Sequence, residues 1–151
     1  MGRTPGSIDS ELSFKRDLLK AMKRMRFDAQ PHEDKWDTGI PDISWAKDGM
    51  DGWLEVKWED KGPNVTGQVV LHTLTSKQAL WLRRRGEAGN NRVFLMLGTP
   101  EVTCLWPFTF VLPWEHATRR VHIPWEECKN KGQYSLGEPA DWPVLLSRLI
   151  L

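Results

Sequence analysis

Gly39-Ile40-Pro41-Asp42-Ile43-Ser44-Trp45-Ala46, followed after a short break by Trp53-Leu54-Glu55-Val56-Lys57-Trp58, is the stretch on which the fold turns. Residues 40–46 and 53–58 both alternate as strands do, and the Asp-Gly-rich segment Lys47–Gly52 between them reads as a turn. A hairpin follows. In a strand, side chains at i and i+2 share a face, so Trp53, Glu55 and Lys57 point one way and Leu54, Val56 and Trp58 point together into a core. In the partner strand Asp42 and Ser44 share one face, Ile43 and Trp45 the other, and Asp42 meets Glu55 across the pair at a sheet edge. Two converging carboxylates repel each other unless a positive charge sits between them. A hard cation such as Mg²⁺ answers that need through carboxylate oxygens, the Val56 backbone carbonyl and water. Such an ion neutralises a phosphodiester oxygen and activates a bound water, and Lys57 orients that water or stabilises the developing charge.

The flanking sequence supplies further candidates. Ser7 is a suitable N-cap for a helix running to about Arg26. On it Ile8, Leu12, Phe14, Leu18, Leu19, Met22 and Met25 form an apolar arc, with Arg16, Lys20, Lys23, Arg24 and Arg26 opposite. Glu11 sits near the middle of that arc with Lys15 one turn later. An i,i+4 pair is worth only about 0.2–0.5 kcal/mol, too little to explain a carboxylate there, so Glu11 is expected to complete the metal shell or to hold a second ion. Beyond a loop over residues 60–68 and the apolar run Val69–Leu71, a second helix is predicted from Ser76 to Arg85. Thr75 and Gln78 have the spacing of a capping box, which competes with a site role for Gln78. His72 stands just before this helix as a candidate phosphate contact; His32 and Glu33 are weaker candidates. Arg92–Leu97 and Val102–Trp106 read as strands, and a final helix, capped by Asp141, is predicted over Pro143–Leu151. Pro- and Trp-rich sequence after Pro107 yields no clear elements.

Composition narrows the class. The chain has 151 residues, 40% hydrophobic and 27% charged, which fits one globular domain and argues against wholesale disorder. No apolar run reaches the ~18 residues of a membrane helix and no signal peptide precedes the charged start, so a cytoplasmic protein is expected. Cys104 and Cys128 lack metal-site spacing and read as reduced thiols. The formal charge is +1, but residues 1–26 carry seven Lys/Arg against three Asp/Glu, residues 27–60 three against ten, and residues 61–92 six against one. An acidic centre between basic segments suits a protein that holds a divalent cation and grips a polyanion. Lys15, Lys23, Arg83, Arg84 and Arg85, with His72, are the candidate DNA-backbone contacts. Trp36 and Trp53, two of nine tryptophans, are candidates for stacking on unpaired bases.

At these residues a family likeness becomes visible. Pro41-Asp42, twelve intervening residues and Glu55-Val56-Lys57 resemble the PD-(D/E)XK nuclease signature. Gly39 before it, Leu74-Thr75-Ser76-Lys77-Gln78 with Trp81-Leu82 after it, and Gly89 ahead of Val93-Phe94-Leu95 resemble the VRR-NUC branch, which is similar to Holliday junction resolvases of archaeal and phage type. The likeness spans roughly residues 8–98. It implies an α/β, restriction-endonuclease-like mixed central sheet flanked by helices, within one domain of core about 8–106 and a Trp/Pro-rich extension, 107–151. It also implies Mg²⁺-dependent DNA cleavage, with Mn²⁺ able to substitute. Glu11, Asp42, Glu55, Lys57 and Gln78 would be the catalytic set, and Glu11, Asp42, Glu55 and Val56 the metal ligands. A homodimer on branched DNA, in recombination or repair and in a phage context, completes the implication. Leu82 replaces the tyrosine of the QxxxY pattern, which argues against an exonuclease of that subgroup. Two other readings are a duplex or restriction-like nuclease and a catalytically silent DNA-binding or assembly module using residues 107–151 for protein contacts.

Overall fold

The computed structural model describes residues 8–32, 39–71, 74–89, 92–110, 121–134 and 141–151. The elements are α1 (Ile8–Arg24), β1 (Asp28–Pro31), β2 (Ile43–Lys47), β3 (Met50–Trp58), β4 (Gln68–Leu71), α2 (Ser76–Ala88), β5 (Val93–Gly98), β6 (Val102–Pro107), β7 (Val121–Pro124), α3 (Trp125–Lys131), β8 (Gly132–Tyr134) and α4 (Trp142–Ser147). Among the described residues six strands form the central sheet in the order β1-β2-β3-β5-β6-β8, and β4 pairs with β7 in a separate ribbon. Within the sheet β3 and β5 are parallel and the other pairs antiparallel. A parallel pair needs a long crossover, and the segment carrying β4 and α2 provides it. This is the mixed α/β sheet flanked by helices that the sequence predicts.

Alternation along the central strands creates two cores. Leu54, Val56, Met96 and Leu105 face α1 and α4, packing with Phe14, Leu18, Met22, Leu145 and Leu149. Val93, Leu95, Leu97, Cys104 and Trp106 face the other way, against Ala79 and Leu82 of α2, Cys128 of α3 and the β4–β7 ribbon. Cys104 Sγ donates to the Cys128 carbonyl at 3.3 Å. A side-chain hydrogen bond between the two thiols and then burial push the Cys104 thiol well above its ordinary pKa, while that thiol–thiol bond lowers the pKa of Cys128.

Several local expectations change. The predicted turn over residues 47–52 contracts to Asp48 (φ +52°) and Gly49 (φ +80°), and Lys47 already pairs with Met50. Asp-Gly adopts this left-handed pair readily, and its twist matches the flanking strands. Strand β3 therefore runs nine residues. It lies between β2 and β5 rather than at a sheet edge, and both its faces are covered. Helix α1 stops at Arg24, since Arg26 has φ +65° and the Phe27 amide turns back to the Met22 carbonyl at 2.9 Å. Leu12, predicted on the buried arc, is 50% exposed. Helix α4 is shorter than predicted, spanning Trp142–Ser147, although Asp141 caps it as expected by accepting from the Val144 amide. The C-terminal third also contributes to the body of the fold, because β8 extends the sheet from β6 and α4 packs on α1. Among the described residues no helix is long and apolar enough to cross a membrane.

Candidate active site

Asp42 is held from several sides. Its backbone carbonyl accepts from the His32 amide at 2.8 Å, continuing the β1–β2 ladder by one step. Its Oδ2 accepts the Val56 amide at 2.8 Å. The Ile43–Leu54 pairing, extended one residue, puts Asp42 opposite Glu55, as the hairpin reading predicts. Because the N–H and C=O of one strand residue project to the same side, the Val56 carbonyl opens toward Asp42 as well. Gly39, at φ +81°, lets this segment lie against the first turn of α2: a Cβ there would sit 2.6 Å from the Lys77 carbonyl oxygen. One glycine thus brings the strand bearing Asp42 beside the helix bearing Gln78.

On the α2 side of the sheet, Glu55 and Lys57 are both buried, with 1% and 6% of their surfaces exposed. Lys57 Nζ lies 3.2 Å from Glu55 Oε1 and donates to Gln78 Oε1 at 3.0 Å. Gln78 performs both of the jobs that compete for it. Its Oε1 also accepts the Thr75 amide at 3.0 Å, while its own amide donates to Thr75 Oγ1 at 3.2 Å, completing the capping box. The helix cap and the orientation of the lysine are therefore one hydrogen-bonded unit. The charged pair does not occupy an open strand face, because α2 closes over it; the desolvation of a buried pair can exceed its Coulombic return.

Glu11 stands apart. Helix α1 packs on the face of β3 that carries Leu54 and Val56, opposite the one that carries Glu55. The link to Asp42 runs through Lys15, whose Nζ is 3.6 Å from Glu11 Oε1 and 3.4 Å from Asp42 Oδ1. Sequence reasoning sets the i,i+4 pair of Glu11 with Lys15 aside as too weak and assigns Lys15 to DNA; the structure forms that pair and adds Asp42 to it. Among the described residues no group of three or more His, Cys, Asp or Glu side chains is placed to hold a metal. A Mg²⁺ site asks for less, since that ion is commonly held by one or two carboxylates, with water and substrate phosphate filling its shell. Asp42, Glu55 and the Val56 carbonyl are a hard oxygen set of that kind. Asp42 Oδ1 is at present paired with the Lys15 ammonium at 3.4 Å.

Two basic concavities adjoin this centre. A groove of about 780 Å³ between α1 and the β1–β2 edge is lined by Lys15, Arg16, Lys20, Lys23, His32 and Asp42. Lys23 lines this groove together with Arg16 and Lys20 of the same helix. On α2, Arg84 and Arg85 line a second cleft with Lys77 and Trp81, whereas Arg83 pairs with Glu87 at 3.1 Å. His72, Glu33 and Trp36 lie outside the described residues.

No protein-family model and no curated protein sequence matches this chain. Solved structures do. The chain is similar in fold to a Holliday junction resolvase. That protein is Hjc from the archaeal hyperthermophile Archaeoglobus fulgidus, matched at a TM-score of 0.55 and 19% identity over 80% of this chain and 93% of the other. The likeness establishes the fold.

Proposed function

We propose that this chain is a Mg²⁺-dependent endonuclease that hydrolyses phosphodiester bonds of branched DNA and belongs to the PD-(D/E)XK superfamily its sequence resembles. The observation that carries the reading is the buried Glu55–Lys57 pair in a central strand, with Gln78 on the lysine and Asp42 opposite the glutamate. The resolvase-like fold supports it. Asp42, Glu55 and the Val56 carbonyl would hold the ion, and Glu11 would act through Lys15. When bound, the ion neutralises a phosphate oxygen and lowers the pKa of its water.

The chain's own groups supply the rest. Gln78 and Glu55 fix the Lys57 ammonium in direction, so it can hydrogen-bond the attacking oxygen or the charge building on phosphorus without reorganising. The Asp42 bond to the Val56 amide locks the carboxylate to the strand that carries Glu55. Lys15, Arg16, Lys20 and Lys23 hold the DNA backbone in the groove that Asp42 also lines, and each phosphate neutralised on duplex DNA steepens the salt dependence of binding by about 0.9. Were the branched substrate a four-way junction, paired incisions would require two copies related by a two-fold axis, and on that substrate the reading includes a homodimer.

The test uses the full chain with Mg²⁺ or Mn²⁺ and labelled four-way, forked, linear duplex and single-stranded DNA, with Glu55→Gln as control and light scattering for the dimer. Metal-dependent cleavage of branched DNA that disappears in Glu55→Gln is expected. Binding without cleavage under either metal would favour a silent module, and faster cutting of plain duplex would favour a restriction-like nuclease. Cleavage surviving in Glu55→Gln would place the active site elsewhere.

A further inference from the structure

The two basic concavities lie on different faces of the sheet, and an aromatic row connects them. His32, which lines the α1 groove, has its ring 5.3 Å from that of Trp53, and Trp53 meets Trp81 edge-on at 4.9 Å. Trp81 lines the α2 cleft, about 400 Å³, with Lys77, Arg84 and Arg85 and, among the described residues, no carboxylate. Arg85 also carries its guanidinium over the Trp53 ring at 5.9 Å. His32, Trp53 and Trp81 are each half-buried. Trp53 shares its strand face with Glu55 two residues on, a rise of about 7 Å. A base seated against this row would therefore have its backbone within reach of the candidate active site.

Resting on the DNA reading above, we infer that the α2 cleft and the Trp53–Trp81 row receive an unpaired strand where it leaves a duplex, while the α1 groove holds the duplex arm. The chemistry of the two surfaces differs in the way this requires. Among the described residues the α1 groove offers Lys15, Arg16, Lys20 and Lys23 beside Asp42 and no tryptophan, which suits a backbone whose bases are stacked inside a helix. The α2 cleft combines cations with an indole, the pairing that single strands use: charge follows the phosphates and exposed bases stack on the ring. Only a substrate with unpaired nucleotides beside a duplex uses both surfaces. The preferred branched substrate is accordingly forked or flapped DNA, not a fully paired junction.

Equilibrium binding of the full chain in EDTA, followed by fluorescence anisotropy, tests this on a forked duplex with unpaired arms, the same duplex fully paired, and a paired four-way junction. The unmodified chain should bind the fork most tightly. Trp81→Ala should weaken fork binding by roughly tenfold and linear-duplex binding by less than about twofold, with Trp81→Phe recovering most of the loss. Arg84→Ala, at an exposed position tolerant of change, should reduce the salt slope on the fork by about 0.7, the single-strand increment. Equal losses on fork and duplex, a paired junction bound more tightly than the fork, or an unchanged slope in Arg84→Ala would overturn the inference. If these binding outcomes fail while Glu55-dependent cleavage persists, only the strand assignment falls. If no DNA is bound or cut, the nuclease reading falls with it.

Discussion

Replacing Lys57 by Met keeps the unbranched stem of the side chain and removes its ammonium group, which isolates what that charge does for Glu55. The two groups are 3.2 Å apart and almost wholly out of water. At an effective dielectric constant of about 20, their gross attraction is roughly 5 kcal/mol. Breaking one half of a buried pair typically costs about 3–5 kcal/mol, because the remaining charge keeps its desolvation penalty. The bond from Lys57 to Gln78 is lost as well. Lys57→Met should therefore lower unfolding free energy by about 3–5 kcal/mol, a large part of the 5–15 kcal/mol of an ordinary domain. For a chain of this size that corresponds to a fall in Tm of roughly 10–15 °C. The double variant Glu55→Gln/Lys57→Met should regain most of the loss, since replacing both charges of a buried pair is often neutral or stabilising. Urea unfolding followed by circular dichroism gives all four corners of the cycle. A single substitution costing under about 1 kcal/mol, or a double variant no more stable than Lys57→Met, would refute the view that this pair is kept for chemistry at the expense of stability.

The remaining expectations concern geometry and exposure. Gly39→Ala places a Cβ 2.6 Å from the Lys77 carbonyl at φ +81°, so a loss of about 2–4 kcal/mol in urea unfolding is expected from left-handed strain plus the clash. Gly86→Ala meets the Phe108 ring at 2.4 Å; overpacking should outweigh the helix-propensity gain and cost about 1 kcal/mol net, relieved by Phe108→Ala in the double variant. Lys15→Met removes the ammonium beside Asp42, and calorimetry should show Mn²⁺ binding strengthened by about fivefold, the equivalent of ~1 kcal/mol for a part-exposed pair. Cys104 and Cys128 are both buried; an aromatic disulfide reagent should label them only as fast as the chain unfolds, with labelling accelerated in urea.

How much of this was legible beforehand depended on whether the signal was local. The β2–β3 hairpin, the capping box of α2 and the strands β5 and β6 are set by alternation, turn residues and side-chain-to-backbone bonds within a few positions, and all are readable from the chain. The motif pairing of Asp42 with Glu55 belongs here too, since a hairpin fixes its register through its own turn. Strands β1, β7 and β8 carry no such mark. They are three or four residues long, and Asp28–Pro31, mostly exposed at the sheet edge, becomes a strand only because β2 lies beside it.

Sequence by itself therefore determined which residues carry charge, which strand holds Glu55 and Lys57, and that Asp42 lies across from them. Only the tertiary structure decided what surrounds those groups. The parallel β3–β5 pairing brings α2 over the charged face, buries the pair and places Gln78 on Lys57. The packing of α1 on the other face separates Glu11 from Glu55 and leaves Lys15 as the bridge to Asp42. Periodicity records which side chains share a face. Which layer covers that face is a long-range packing outcome, and no window of sequence contains it.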